Sequence, residues 1–400
     1  MPFNSLSFYL FVFSVYLFSK IFKLKKVNAA FLLTLIGTPL YFIYAKKHFI
    51  ILLALVGLAC VLVSWIYKKK SKLALISSLL MALIPFLFFR YSLVSNAFIE
   101  LIPFVSTLKR PAIFLGMAFL FLRIVSLFTD TLEDEEKPSI KEIFCYLLYF
   151  PSFISGPLER MEDFREKLNT EYDYNLEDLF EGVYRIIKGS FKKVVIGNTL
   201  LNLSVSNLSM ENLSQVPSLY LVLSLYLYTL TIYFDFSGYS DIAIGIGRIF
   251  GVKIPENFGA PFKARNIQEF WNNWHISFMH WLRDYLYYPF YRLLHKLKIR
   301  ATSLLMGGSF LITFTIAGLW HGDSLKYLYT GLYYGVCFAF WVAYKSLLEE
   351  KLGKKEVKNK YLKSNAIRYL AIFITLNIYT FSLIFYVEAY ALVEELWNRI

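Results

Sequence analysis

The chain has 400 residues, of which 57% are hydrophobic and only 18% are charged, and aromatic residues make up 19%. So few charges cannot cover the surface of a soluble protein of this length, so the composition predicts an integral membrane protein. The net charge of +13 would suit a nucleic-acid partner, but Lys and Arg stand in short clusters between apolar runs. We therefore interpret them as membrane-topology signals and exclude nucleic acid as a partner.

Charge-free apolar runs of the length that a bilayer requires, roughly 17 residues or more, occur throughout the chain. Seven such runs cover residues 28–45, 49–67, 73–89, 212–234, 301–320, 327–344 and 369–387. Two further apolar segments, 5–19 and 111–128, bring the expected number of crossings to roughly nine to eleven. Residues 143–157 and 238–252 are apolar but interrupted by glycine or proline, which predicts re-entrant or broken helices.

The most polar stretch, residues 159–193, carries both charge signs and an amphipathic pattern, which predicts a helix lying at the membrane interface. No internal repeat or low-complexity segment interrupts the chain. We therefore predict an all-α polytopic protein with one membrane domain over residues 1–400. It comprises N-terminal spans (1–130), a motif-rich centre (140–345), and a basic loop with the last span (346–400).

The Lys and Arg clusters predict the orientation in the cell membrane. Clusters at residues 20–26, 68–72 and 345–368 should lie in the cytoplasm by the positive-inside rule. Both termini are then expected outside the cell. The first residues lack the positive charge and the cleavage site of a removable signal peptide, so the first segment should stay in the mature protein.

Sequence motifs for nucleotide, metal or disulfide chemistry are absent. The three cysteines, Cys60, Cys145 and Cys337, lie far apart in apolar stretches, which supports neither a disulfide framework nor a metal site. The sequence has no Walker motif, no Cys-x-x-Cys and no His-Glu-x-x-His. We predict no metal ion.

Histidines in apolar surroundings are the first functional candidates, because ionisable groups are costly in a membrane. His321 ends an uncharged run, between Gly318 and Gly322, and a neutral imidazole there could act as a general base. The alternative is a helix-end histidine hydrogen-bonded to a neighbour. His275 interrupts an aromatic stripe at helical spacing, which is as typical of packing as of a site. His280, five residues later, should point elsewhere.

Four ordered motifs together resemble the membrane-bound O-acyltransferases. They are PSFISGPLERMEDF (residues 151–164), YFDFSGYSDIAIGIGRIFG (233–251), PENFGAPFKARNIQEFWNNWHISFMHWLRDYLYYPF (255–290) and GLWHG (318–322). The resemblance implies a ring of helices around a central tunnel, with His321 inside as the base. His275 is implied as the second site residue, a stabilising or orienting group on the donor side. The predicted substrate-binding residues are Asn272, Asn273, Trp274 and Trp320.

Two bacterial branches of this family fit different parts of the chain. Its length and residues 373–386 are similar to the branch that transfers D-alanine to teichoic acid, whereas DIAIGIGRIFG, PENF and RDYLYYP are closer to alginate-type polysaccharide O-acetyltransferases. The first branch implies a donor thioester on the phosphopantetheine of an acidic cytoplasmic carrier protein, with no permanently bound cofactor and an extracellular or membrane-anchored acyl-transfer partner. The second implies acetyl-coenzyme A. A transporter of a lipid-linked sugar is the alternative from another class, but the inverted repeat expected of one is absent.

A basic and aromatic stretch follows His275 in the chain. Arg283, Tyr291, Arg292 and Lys296 are predicted to dock the acidic carrier, because opposite charge and aromatic rings suit such an interface. The alternative is that these residues only obey the positive-inside rule and anchor the protein at the interface.

Overall fold

The computed structural model describes residues 6–41, 46–101, 116–169, 176–208, 210–353 and 364–386, and the single positions 394 and 398. The α-helices in these ranges are α1 (Leu6–Ile21), α2 (Lys26–Tyr41), α3 (Lys46–Lys69), α4 (Lys72–Arg90), α5 (Ser92–Leu101), α6 (Met117–Glu133), α7 (Ile140–Leu148), α8 (Met161–Asn169), α9 (Leu176–Ser190), α10 (Asn198–Leu203), α11 (Ser218–Ile249), α12 (Ile267–Asn273), α13 (Ile276–Leu282), α14 (Tyr288–Lys296), α15 (Thr302–His321), α16 (Leu325–Leu352) and α17 (Asn365–Tyr386). Apart from one isolated bridge between Phe258 and Trp274, β-structure does not occur in the described ranges. The predicted all-α fold is confirmed.

Five of the described helices are long and apolar enough to cross a membrane. They are Phe49–Lys69, Lys72–Arg90, Ser218–Ile249, Thr302–His321 and Asn365–Tyr386. Two shorter apolar helices, Ser7–Ile21 and Asn28–Pro39, accompany them, and the predicted run 327–344 lies inside α16. The chain is therefore a multi-pass membrane protein, and the number of nine to eleven crossings stays a prediction.

The chain divides into two compact units. Unit 1 consists of Met1–Ser190 and Tyr239–Pro255, and unit 2 consists of Phe191–Gly238 and Glu256–Ile400. The boundary between the two units falls inside α11, whose first part belongs to unit 2 and whose last part belongs to unit 1. The single domain over residues 1–400, with its three predicted parts, stays a prediction.

Residues 238–252 do not form the predicted broken helix, because α11 runs on through them to Ile249. The glycines that suggested a break serve helix packing in unit 1 instead. A Cβ atom on Gly245 would overlap the Gly182 carbonyl of α9, so only glycine permits this approach. Two ion pairs join the same helices, Arg185–Asp241 at 2.8 Å and Arg248–Asp178 at 2.9 Å.

Residues 143–157 do contain the predicted interruption. Helix α7 ends at Leu148 and is followed by a 3-10 turn at Phe150–Ser152. The buried guanidinium of Arg123, from α6, donates to the Tyr146 carbonyl at 2.6 Å and to the Ser152 carbonyl and hydroxyl at 3.0 and 2.6 Å. The last carbonyls of a helix lack intrahelical partners and carry partial negative charge, so a cation stabilises this end.

The polar stretch 159–193 forms two helices instead of the single predicted one. Helices α8 and α9 lie on either side of residues 170–175, and a π-helical segment, Phe191–Gly197, follows α9 directly. The amphipathic pattern of α9 leaves Leu176, Phe180 and Ile187 more than 60% exposed. Such an apolar surface suits contact with lipid, and the interfacial location of this helix stays a prediction.

One hydrophobic core cluster of unit 2 joins the segment that precedes His275 to the helix that ends at His321. Its buried members come from the 264–274 segment, α15, α16 and α17, and they are Ala264, Ile267, Phe270, Trp274, Phe314, Tyr334, Phe338, Tyr379 and Leu383. Helices α15 and α16 form an antiparallel pair with close backbones. A Cβ on Gly331 would lie 3.0 Å from Gly318 Cα, and a Cβ on Gly335 would lie 2.9 Å from Leu311 Cα. Small residues spaced four apart permit this approach.

Candidate active site

His275 lies at a break between two helices. Helix α12 begins after Asn266, whose side chain accepts from the Glu269 N–H at 2.8 Å, and ends at Asn273. His275 then adopts left-handed backbone angles, φ 48° and ψ 49°, before α13 begins. The helical spacing of the aromatic stripe therefore does not correspond to one continuous helix through His275. A left-handed conformation is costly for a non-glycine residue and directs His275 away from the helical path.

The His275 ring is enclosed by aromatic side chains and one amide. It is 6% exposed, and its centroid lies 4.7 Å from the Phe236 ring and 4.9 Å from the Phe278 ring. Its Nδ1 lies 3.1 Å from Oδ1 of Asn257. Burial, and secondly the neighbouring His321, lower the pKa of His275 to about 3. The imidazole is therefore neutral at physiological pH.

His321 is the last residue of α15 and is partly exposed. The close packing of α15 on α16 sets its position, and its ring lies 6.3 Å from the ring of Tyr327 at the start of α16. The Tyr386 hydroxyl of α17 lies 3.5 Å from its Nδ1. The Phe278 ring is 6.2 Å from the His321 ring, so Phe278 neighbours both histidines.

Both histidines line one cavity of about 240 Å³ in unit 2. Its wall is mostly aromatic and includes Trp271, Trp274, Phe278, Phe314, Tyr228, Tyr327, Tyr334, Tyr379 and Tyr386. Ser382 adds a hydroxyl that donates to the Tyr379 carbonyl at 2.6 Å and lies 2.5 Å from the Tyr334 hydroxyl. A mostly aromatic wall limits the access of water, and the two imidazoles can move a proton.

The structure brings only part of the predicted substrate-binding set to this cavity. Trp274 lies in its wall, whereas Asn272, Asn273 and Trp320 do not. The Asn273 side chain instead donates to the Glu269 carbonyl and accepts from the Ala260 N–H, and Trp320 stacks on Phe278 at 5.0 Å. Position in the sequence alone could not distinguish these roles, because Asn272 and Asn273 stand directly between Trp271 and Trp274, which do line the cavity.

Sequence reasoning missed several residues of the wall. Tyr228, Tyr334, Ser382 and Tyr386 come from three different helices with no local motif for a site. Trp271 also lines the cavity, and its Nε1 is buried without a hydrogen-bond partner within the described chain. Only the resemblance of residues 373–386 to a family segment pointed toward α17.

The predicted docking residues lie on and before α14. Arg283 binds Asp284 at 2.9 and 3.2 Å, which neutralises much of its charge. Arg292 and Lys296 are exposed and Tyr291 is half-buried. Leu293 and Leu297 on this segment are 50% and 65% exposed. The surface is both basic and apolar, and carrier docking there stays a prediction.

Comparison with known proteins identifies the family. The model of the membrane-bound O-acyltransferase family matches residues 38–385. Teichoic acid D-alanyltransferase of Bacillus subtilis is 32% identical over 67% of this chain and 67% of its own length. The protein of the same name from Streptococcus thermophilus is 28% identical over 70% and 72%. A protein named probable alginate O-acetylase, from Pseudomonas fluorescens, is 32% identical over 56% of this chain and 44% of its own. The chain belongs to the membrane-bound O-acyltransferase family.

Proposed function

We propose that this O-acyltransferase takes D-alanine from the phosphopantetheine thiol of an acidic cytoplasmic carrier protein and passes it across the membrane for esterification of teichoic acid hydroxyls. The extent of the similarity supports this proposal. The two D-alanyltransferase relatives align over about two thirds of both chains, whereas the alginate relative is matched over less than half of its length. An extracellular or membrane-anchored partner would receive the acyl group.

The cavity offers groups for each part of the reaction. We assign His321 as the base that takes the proton from the attacking hydroxyl of the acceptor. The new ester C–O bond then forms while the thioester C–S bond to the carrier breaks. The proton then passes to the leaving thiolate, so no permanently bound cofactor is required. The buried indole N–H of Trp271 is a suitable donor for the carbonyl oxygen of the acyl group. The aromatic wall protects the thioester from water.

The test is acyl transfer by purified protein in liposomes. D-alanyl carrier protein with a labelled alanine is supplied on one side and teichoic acid on the other, together with a membrane fraction that contains the receiving partner. We expect labelled ester on the teichoic acid, and none with the His321→Ala protein. The proposal would be contradicted if folded wild-type protein transferred no label to teichoic acid with all of these components present.

O-acetylation of an exported polysaccharide is the second candidate. The alginate O-acetylase relative is as similar in identity, 32%, as the Bacillus subtilis D-alanyltransferase. This candidate differs in its donor, which would be acetyl-coenzyme A. Ester formation with acetyl-coenzyme A in the absence of any carrier protein would therefore favour it.

A further inference from the structure

Asn257, in the loop that precedes α12, holds the His275 segment in place. Its side chain is fully buried. One oxygen, Oδ1, lies 3.1 Å from His275 Nδ1, 3.3 Å from the Ser277 N–H nitrogen and 2.8 Å from the Ser277 hydroxyl. The Asn257 backbone carbonyl also accepts from the Ile276 N–H at 3.0 Å. Asn257 therefore contacts the three successive residues at which the helix breaks.

The hydrogen-bond partners of this oxygen indicate which ring nitrogen of His275 carries the proton. A backbone N–H can only donate, so the Asn257 atom that faces Ser277 must be the carbonyl oxygen and not the amide nitrogen. The same oxygen can only accept from His275, so Nδ1 carries the proton. In a neutral imidazole the lone pair then resides on Nε2.

The protonation of Nδ1 restricts which hydrogen bonds Nε2 of His275 can form. Phe236 and Phe278 pack against the ring at 4.7 and 4.9 Å, and His275 lines the cavity that also contains His321. A neutral ring with a lone pair on Nε2 cannot donate a hydrogen bond to an oxyanion from that atom. It can accept one from an N–H or O–H group in the cavity.

We propose that Asn257 is a positioning residue that holds His275 in its Nδ1-protonated form, so that Nε2 accepts a hydrogen bond from an N–H or O–H group of the bound substrate. The proposal rests on the proposed acyl transfer and deepens it. It makes His275 an orienting group, and it removes this residue from the set that stabilises the developing negative charge on the carbonyl.

The tautomer can be measured without any substrate. Protein labelled with ¹⁵N in the histidine rings is purified in detergent, and the His275 signals are assigned with a His275→Gln variant. We expect a protonated Nδ1 and an unprotonated Nε2. Asn257→Leu removes the acceptor and should shift the proton to Nε2. The matched control, Ser277→Ala, removes another partner of the same oxygen and should leave the tautomer unchanged.

Acyl transfer provides the second measurement. Asn257→Leu should lower kcat/KM by about 10- to 100-fold, because the substrate loses a hydrogen bond and meets a donor where it needs an acceptor. Ser277→Ala should retain the tautomer and most of the activity. A wild-type His275 protonated at Nε2, or an Asn257→Leu protein with altered tautomer and normal kcat/KM, would overturn the proposal. The expected tautomer in a protein that transfers no D-alanine would contradict the proposed function alone.

Discussion

The two histidines that line the cavity have different surroundings. His275 is almost fully buried between aromatic rings and bonded to Asn257, whereas His321 is partly exposed at a helix end and has the Tyr386 hydroxyl 3.5 Å away. A base must exchange protons with substrate, which suits the less enclosed residue. An orienting group needs a fixed ring, which suits His275.

Replacing His321 tests the assigned base. His321→Ala should abolish acyl transfer, because alanine cannot take the proton from the attacking hydroxyl. His275→Ala should cause a smaller loss. Turnover is measured in liposomes, with size-exclusion profiles in detergent to show that both variants remain folded. Near-normal turnover of the His321 variant would show that the assignment is wrong.

The buried His275 also predicts how stability depends on pH. In the unfolded chain a histidine binds a proton near pH 6.5, whereas the folded protein resists protonation of His275 until about pH 3. The unfolded state therefore binds more protons in this window, and stability falls as the pH is lowered, by up to about 1.4 kcal/mol per pH unit. Thermal unfolding in detergent should show a steeper loss between pH 7 and pH 4 for wild type than for His275→Gln. Equal slopes would contradict the buried neutral state.

At the scale of elements, the α15–α16 pair positions the end of the helix that carries His321. Gly318, Gly331 and Gly335 bring the two backbones close together. A side chain at this contact would separate the helices and displace His321 from the cavity. The effect is steric and not a matter of glycine flexibility, because these glycines lie within regular helices.

Alanine substitutions of glycines in this helix pair should destabilise the protein only where the glycine lies at the close contact between the two helices. A Cβ on Gly331 would press on the Phe314 carbonyl and on Gly318, so Gly331→Ala should destabilise by about 1–3 kcal/mol and reduce acyl transfer. The control is Gly308→Ala in α15, where the new Cβ meets only a Leu294 methyl at 3.4 Å. It should be neutral, or stabilising by up to about 1 kcal/mol, because alanine favours helix. Equal melting temperatures for the two variants would exclude this packing role.

Helix α14 allows a test of carrier docking. Reversing Arg292 and Lys296 to Glu should weaken binding of the D-alanylated carrier, in a salt-dependent way and without unfolding the protein. The matched control is Lys68 and Lys69 to Glu, two exposed lysines at the end of α3. Capture of the carrier by immobilised protein is compared at low and high salt. Equal capture by wild type and the α14 variant would exclude a role of Arg292 and Lys296 in docking, and these charges would then serve only the membrane topology.

At the scale of the whole molecule, transfer between two membrane faces requires a defined orientation. The positive-inside rule predicts that the loops at residues 20–26 and 345–368 are cytoplasmic. Residues 354–363 of the second loop lie outside the described residues. The carrier would then meet the cytoplasmic face, which is the only face a cytoplasmic donor can reach.

Cysteine labelling can check the orientation. In a chain whose Cys60, Cys145 and Cys337 are replaced by alanine, a single cysteine at Lys25 or Lys355 should resist a membrane-impermeant maleimide in intact cells. The same cysteine should react after the cells are opened. Labelling from outside at either position would overturn the orientation, and with it the cytoplasmic donor.

Several properties of this protein follow from sequence alone. Runs of apolar residues indicate which helices are able to cross a membrane, because a helix pairs its own backbone N–H and C=O groups, which find no water inside a bilayer. Spaced motifs identified the family, and His321 and His275 stood out because ionisable groups are rare in apolar surroundings. Each of these signals is local, carried by neighbouring residues in one stretch of chain.

Other properties depended on contacts between distant parts of the chain. Whether Gly245 breaks α11 or packs it against α9 depends on Gly182, more than sixty positions earlier. The cavity wall joins Tyr228, Tyr334 and Tyr386 from three helices, and Asn257 meets His275 at a left-handed turn of the backbone between two helices. Periodicity describes one helix at a time, so only the tertiary structure could decide which side chains share a cavity and which nitrogen of His275 carries the proton.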